Sequence, residues 1–234
     1  MKITWFGHAA FRLDFAGTSV LIDPFLTGNP AFSGDFGAAI AGVSHVLLTH
    51  GHGDHVGDTV AIARTNEATV VANADLASWL GHQGVAKLEP MNTGGTIHQD
   101  GFTVSMVRAD HSSGMMEEGR TVYLGNANGL IVKAPGEPTV WHMGDTDIFS
   151  DMGLIAELHK PDVVIVPFGD RFSFGPELPA VALSRYLGGH TIIPAHYATF
   201  GLLEPGAERF VSLVGEEATV VVPDKGVPVA LSRG

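Results

Sequence analysis

The sequence predicts an α/β fold of two mixed sheets packed together with helices outside, and three observations carry that expectation. Strand-like runs bunch at both ends of the chain, helical runs are mixed among them, and no linker or compositional break divides the 234 residues. One domain over 1–234 follows, without a strict internal repeat. At 45% hydrophobic and 16% charged residues, the chain can bury a substantial core.

The elements read in order as follows. Ile3 to Phe6, Phe11 to Phe15 and Ser19 to Asp23 alternate or run apolar, with Ala16-Gly17-Thr18 as a turn. Pro24 to Gly42 is rich in Gly, Pro, Asn and Ser and reads as a surface loop near a site. A strand at 45–49 precedes a histidine-rich loop and a helix around Asp58 to Arg64, with Val56 onward already helical in character. Thr69 to Ala72 reads as a strand and Asp75 to His82 as a helix ending near Gly81 or Gly84. Several strands fill Lys87 to Trp141, including the alternating Phe102 to Val107. The rhythm then changes to helix (Gly153 to His159), buried strand (Asp162 to Val166), helix (Pro176 to Leu187) and strand (Thr191 to Pro194). A helix at Ala207 to Val214 and strands at Ala218 to Val222 and Val227 to Leu231 close the chain.

Composition removes several function classes. With 25 acidic against 13 basic side chains the net charge is −12, which disfavours nucleic-acid and anionic-membrane binding. Cysteine is absent, so thiolate nucleophiles, disulfides and thiolate metal sites are excluded, and any metal must be held by histidine and carboxylate. The opening Met1-Lys2-Ile3-Thr4-Trp5-Phe6 lacks the pattern of a signal peptide, and runs such as Val163 to Val166 are too short to span a bilayer. The default expectation is a soluble cytoplasmic protein without membrane insertion. Oligomeric state is open: the apolar stretch Phe25 to Ala41 could serve a homo-oligomer interface or cover a pocket.

Chemistry concentrates in Thr49-His50-Gly51-His52-Gly53-Asp54-His55, where four of seven residues are candidate metal ligands. Imidazole and carboxylate are the groups that bind zinc-like ions when thiolate is missing, and the glycines let neighbouring ligands turn to one centre. The run follows an apolar strand, the place where open α/β folds put their sites. Three further strand ends offer His or Asp: Asp110-His111-Ser112-Ser113, Gly144-Asp145-Thr146 and Ala195-His196-Tyr197. Strands side by side bring such ends together.

This ordered set resembles the metallo-β-lactamase superfamily, from Gly7-His8 to Pro223-Asp224-Lys225-Gly226. The opening Trp5-Phe6-Gly7-His8-Ala9, Leu21-Ile22-Asp23-Pro24 and His196-Tyr197-Ala198-Thr199-Phe200 are similar to a branch of bacterial metal-dependent hydrolases. That branch is related to ascorbate-phosphate lactonase and N-acyl-phosphatidylethanolamine phospholipase. The resemblance implies an αββα sandwich with a dinuclear site on one edge. It assigns His50, His52 and His111 to one ion, Asp54, His55 and His196 to the other, and Asp145 as the bridge. Two divalent ions roughly 3.5–4 Å apart would share a water, and the enzyme would hydrolyse an ester, lactone or phosphodiester of a small molecule. Zinc suits the donor set best; manganese, iron or nickel also fit. Asp54 is the candidate to orient the attacking water and relay its proton. Two departures bear on the substrate pocket and not on metal binding: Ala198 stands where relatives often have Gly, and the Phe168 to Pro176 loop differs around Phe174.

Each assignment has a plainer competitor. The cluster at 50–55 could be a solvated turn, and His111, Asp145 and His196 taken singly could be ordinary strand-end and turn residues. His8 reads equally as a hydrogen-bond donor or substrate contact beside the site and as a turn histidine. Asp23 reads equally as the anchor of a ligand histidine and as a loop cap. Ser112 lacks a base and an orienting partner, so with Ser113 it shapes the loop; Ser112 and Tyr197 are candidate substrate or supporting contacts. His142, pointing away from Asp145, and His45, His82, His98, His159 and His190 read as structural or surface residues. A di-iron redox protein on this fold and a non-catalytic metal-binding protein are the functional alternatives.

Overall fold

The computed structural model describes residues 1–175 and 177–233. The first sheet contains β1 (Lys2–Trp5), β2 (Phe11–Phe15), β3 (Thr18–Ile22), β4 (His45–Leu47), β5 (Thr69–Asn73) and β6 (Leu88–Met91), joined at its edge by β16 (Val229–Ala230). The second contains β7 (Thr96–Gln99), β8 (Phe102–Arg108), β11 (Asn128–Lys133), β12 (Val140–His142), β13 (Val163–Pro167), β14 (Thr191–Ala195) and β15 (Thr219–Val220). A separate hairpin pairs β9 (Gly114–Glu117) with β10 (Arg120–Tyr123).

Period-two alternation decides which layer each side chain joins. In β3, Val20 and Ile22 face the second sheet, sharing a core with Val104, Met106 and Leu130. Leu21 between them points the other way, toward the helices. There it meets α1 (Phe36–Ile40), α3 (Thr59–Asn66) and α4 (Ala74–His82) through Ala39, Ile62, Leu76 and Leu80. The far face of the second sheet receives α5 (Met152–His159), α6 (Glu177–Ala182) and α7 (Glu208–Val214) through Met152, Ala182 and Phe210. The layers are therefore helices, sheet, sheet, helices, the metallo-β-lactamase arrangement.

Strand direction then places the site. β3, β4, β5 and β6 are parallel, and β1 runs with them because two antiparallel pairings separate it from β3. β12, β13 and β14 are parallel, and β8 runs with them by the same double reversal through β11. The carboxyl ends of β1, β3, β4, β8, β12 and β14 release His8, Asp23, His50, His111, Asp145 and His196 respectively.

Several elements differ from the sequence reading. The 24–42 segment is not only a surface loop: Leu26, Asn29 and Ala31 are buried, and α1 forms where the Asp35 carboxylate accepts from Ala38 N. The histidine loop contains a helical turn of its own, α2 (Gly53–Val56). Gly57 ends it at φ +41°, where a Cβ would meet the Phe25 Cα and Pro24 O at 2.5 Å, and α3 starts only at Thr59. The helix expected from Pro176 begins at Glu177 among the described residues and passes at Leu183–Leu187 into a π-helical turn. The last two strands shrink to two residues each; Pro223 and Pro228 bring no N–H to a sheet edge.

Candidate metal centre

The tight run 50–55 reaches the sheet edge already folded on itself. His52 precedes α2, and the helical turn carries Asp54 and His55 round to the other side of His50. His50 Nε2 and His52 Nδ1 lie 3.0 Å apart, and the His111 ring stands 5.1 Å from each of their rings. Ligand atoms of His50, His52 and His111 form one group, and those of His8, Asp54, His55 and His196 another, each within 4.8 Å. Asp145 lies between: its Oδ2 is 2.9 Å from His196 Nε2, 3.4 Å from His55 Nε2 and 3.7 Å from His111 Nε2. Loops from three separate strand ends thus meet on one carboxylate oxygen.

Hydrogen bonds behind the ring nitrogens decide which face each histidine offers. Asp23, fully buried, accepts from Thr49 N at 2.9 Å, Thr49 Oγ1 at 2.6 Å and His55 Nδ1 at 2.8 Å. That leaves His55 Nε2 directed into the cluster. Because the Thr49 hydroxyl proton goes to Asp23, its oxygen accepts from His50 Nδ1 at 3.0 Å, so His50 Nε2 keeps a lone pair. Ser112 Oγ, 3.2 Å from His52 Nε2, accepts its proton when His52 Nδ1 serves as the ligand atom. Two lone pairs 3.0 Å apart repel unless a proton or a cation lies between them. His55 Nε2 and Asp145 Oδ1 are also buried without a hydrogen-bond partner. Buried polar atoms left this way cost stability, and a cation relieves several of them at once. The donor set, histidine and carboxylate without sulfur, fits zinc or a similar divalent ion.

His8 sits beside the second group in a left-handed conformation (φ +55°). Its carbonyl accepts from His196 N, its Nδ1 accepts from Thr199 Oγ1 at 3.1 Å, and its Nε2 donates to Asp54 Oδ2 at 3.1 Å. Burial pushes the His8 pKa down to about 4, so the imidazole is neutral at neutral pH and carries one proton for Asp54. Burial would raise the Asp54 carboxyl; the His8 hydrogen bond and the neighbouring histidines outweigh it and hold the group ionised.

The ligand histidines divide electrostatically. Burial lowers His50, His52 and His111 below the usual imidazole range, leaving lone pairs available near neutral pH. His55 goes the other way: burial works against its charge, yet Asp145 and Asp23 hold it well above that range. A raised histidine stabilises the metal-free fold fully below the ordinary imidazole pKa, and loses that contribution as pH rises through the raised value. A metal taking Nε2 must expel this proton. Zinc uptake is therefore expected to release at least about one proton per chain near pH 7 and to tighten as pH rises. Calorimetric titrations in buffers of different ionisation heat measure this, and pH-independent uptake without proton release would contradict it.

The remaining candidates take varied positions. Ser113 accepts from Gly51 N and donates to Leu124 O, holding the two ligand loops together. His142 is buried in the core, bonded to Ala9 O and Gly144 N. Tyr197, a candidate substrate or supporting contact, is buried directly after His196. Its side chain stacks on Trp5 at 5.0 Å and Phe168 at 4.7 Å, because the residue after His196 turns toward the core. Gly169 makes the His196 turn possible, since a Cβ there would lie 2.3 Å from His196 O and 2.7 Å from Nδ1. Thr49 and Thr199, which fix His50 and His8, were not among the sequence candidates. The only signal available was their place beside the histidine loops.

Comparison with known proteins agrees with this geometry. Residues 18–197 match the family described as beta-lactamase superfamily domain. A metal-dependent hydrolase of Azorhizobium caulinodans is 60% identical over 97% of this chain and 98% of its own. Among solved structures, a metallo hydrolase from the archaeon Ignicoccus hospitalis superposes with TM-score 0.87 at 29% identity, covering 97% of both chains. An isothiocyanate hydrolase from Delia radicum gut bacteria shares the fold, with TM-score 0.76 at 22% identity over 99% of this chain and 100% of that one. The chain belongs to the metallo-β-lactamase superfamily, in the group of metal-dependent hydrolases that its 60%-identical relative represents.

Proposed function

We propose that this chain hydrolyses an ester, lactone or phosphodiester bond of a small molecule at a dinuclear metal centre, with zinc as the first candidate. The chain is a metal-dependent hydrolase of its superfamily. One observation supports the dinuclear reading, the single Asp145 oxygen within 3.7 Å of three histidine nitrogens that belong to two groups of donors.

His50, His52 and His111 would hold one ion, Asp54, His55 and His196 the other, and Asp145 both. When bound, such a pair acidifies a shared water and polarises the oxygen of the attacked group. The protein's own part is positional. Thr49 and Asp23 fix two imidazoles in the tautomer that leaves Nε2 free. Neutral His8 engages Asp54 Oδ2, so Oδ1 is the oxygen that would remain to hold an ion or to orient its water. The Asp54 side chain is 34% exposed, so the cluster opens to solvent on this side. Among the described residues no helix is long and apolar enough to cross a membrane.

Elemental analysis of untagged protein, combined with a screen of ester, lactone and phosphodiester substrates, tests the proposal. Two metals per chain and turnover that a chelator abolishes are expected. Fewer than two metals, or no hydrolysis of any class by fully loaded protein, would sink it.

A further inference from the structure

The geometry points to a substrate-selecting aromatic subsite formed by Phe25 and Phe200, shaped for an uncharged acyl compound whose reacting carbonyl carries a planar apolar group. This deepens the hydrolase reading above and rests on it.

The two rings pack against His8, whose partner Asp54 is partly open to solvent. Phe25 lies 6.0 Å and Phe200 5.4 Å from the His8 ring, both edge-on to it, and His8 touches Asp54. The phenylalanine rings are 6.3 Å apart and 31° from coplanar, so the two form one aromatic pair next to His8. Phe200 is 38% exposed and Phe25 half-buried, so both rings offer apolar surface to a ligand.

Both are held by the backbone that carries ligands. The Asp58 carboxylate accepts from Leu26 N at 3.0 Å and Thr27 N at 2.7 Å, while Gly57 packs against the Phe25 Cα. Phe200 follows Thr199, the partner of His8, and its carbonyl accepts from Leu203 N at 3.0 Å. A rigid aromatic wall placed this way costs a ligand little ordering.

Charge argues for an uncharged ligand. Among the described residues no lysine or arginine hydrogen-bonds or ion-pairs with the cluster. Arg108, near His111, is paired with Asp110 and Asp151 and lies over Phe149, and Arg171 lies over Phe172. A phosphate site ordinarily adds a guanidinium fork or an ammonium to its metals.

Three probes share one chelating head and differ only in what reaches the wall: acetohydroxamate, benzohydroxamate and 4-carboxybenzohydroxamate. Each is titrated calorimetrically into zinc-loaded protein whose metal content is measured. Benzohydroxamate is expected to bind about tenfold more tightly than acetohydroxamate, and the carboxylated probe at least about tenfold more weakly than benzohydroxamate. In Phe200→Ala the aryl preference should fall to about twofold, and Phe200→Leu, which keeps bulk without a flat face, should lose most of it. Equal binding of the first two probes, or a preference that survives both substitutions, overturns the subsite while leaving the metal centre standing. A carboxylated probe that binds as well as benzohydroxamate overturns the uncharged class. Failure of all three to bind loaded protein overturns the hydrolytic reading underneath.

Discussion

Asp145→Ala is expected to release both metal equivalents together and to lower turnover by about a thousandfold or more. The size of the effect follows from position. Asp145 is 2% exposed, and its Oδ2 faces His55, His111 and His196 at 2.9–3.7 Å, so no neighbouring oxygen can replace it. Burial opposes its charge, yet the surrounding histidines hold its carboxyl well below the ordinary range, and it is ionised at every pH of interest. Removing it takes away the oxygen that His55 and His196 face and leaves the two proposed ions without their common ligand. His52→Ala should act on one ion first, since its contacts lie with His50 and Ser112. Tyr197→Phe, in the core stack, should leave metal content intact. Elemental analysis and turnover measured on the same samples decide the matter: two metals per chain with normal turnover in Asp145→Ala would refute the bridging role.

That the proposed ligands gather at one place was legible in the chain because each member follows an apolar strand, and strand ends in parallel sheets share an edge. His50 to His55 announce themselves by density; His111, Asp145 and His196 do so only through that shared placement. The roles of Asp23 and His8 stood even with plainer readings, since hydrogen bonds spanning 32 and 46 residues decide them. Thr49 and Thr199 escaped notice for the same reason: a hydroxyl's role depends on which way its proton points, and residues 26 and 191 positions away set that. Which of the two roles offered for Tyr197 applies could not be read from adjacency to His196, because a turn sends successive side chains to different sides; its ring packs on Trp5 and Phe168. The 24–42 segment looked like loop because Gly, Pro and Asn dominate it; its burial of Leu26 and Ala31 depends on an anchor at Asp58, outside the segment.

Asp23→Ala should cost about 3–5 kcal/mol of stability although the side chain touches no substrate. The carboxylate is fully buried and accepts three hydrogen bonds, from Thr49 N, Thr49 Oγ1 and His55 Nδ1. Its loss strands a backbone donor and a hydroxyl and removes one of two anions facing a charged His55. At roughly 2–4 °C per kcal/mol for a chain of this size, the melting temperature should fall by about 6–20 °C. Asp23 sits at φ +45°, where alanine adds backbone strain, so Asp23→Asn separates the causes. Asparagine tolerates that conformation and keeps one acceptor oxygen, and should lose less stability than alanine. Both variants should weaken metal binding by about 10- to 100-fold, because His55 and, through Thr49, His50 are no longer fixed in their ligating tautomers. Melting curves of metal-free protein isolate the stability effect, and zinc titrations isolate the effect on affinity. An Asp23→Ala variant that melts within about 2 °C of the parent would mean the buried carboxylate does not hold the edge of the first sheet in place.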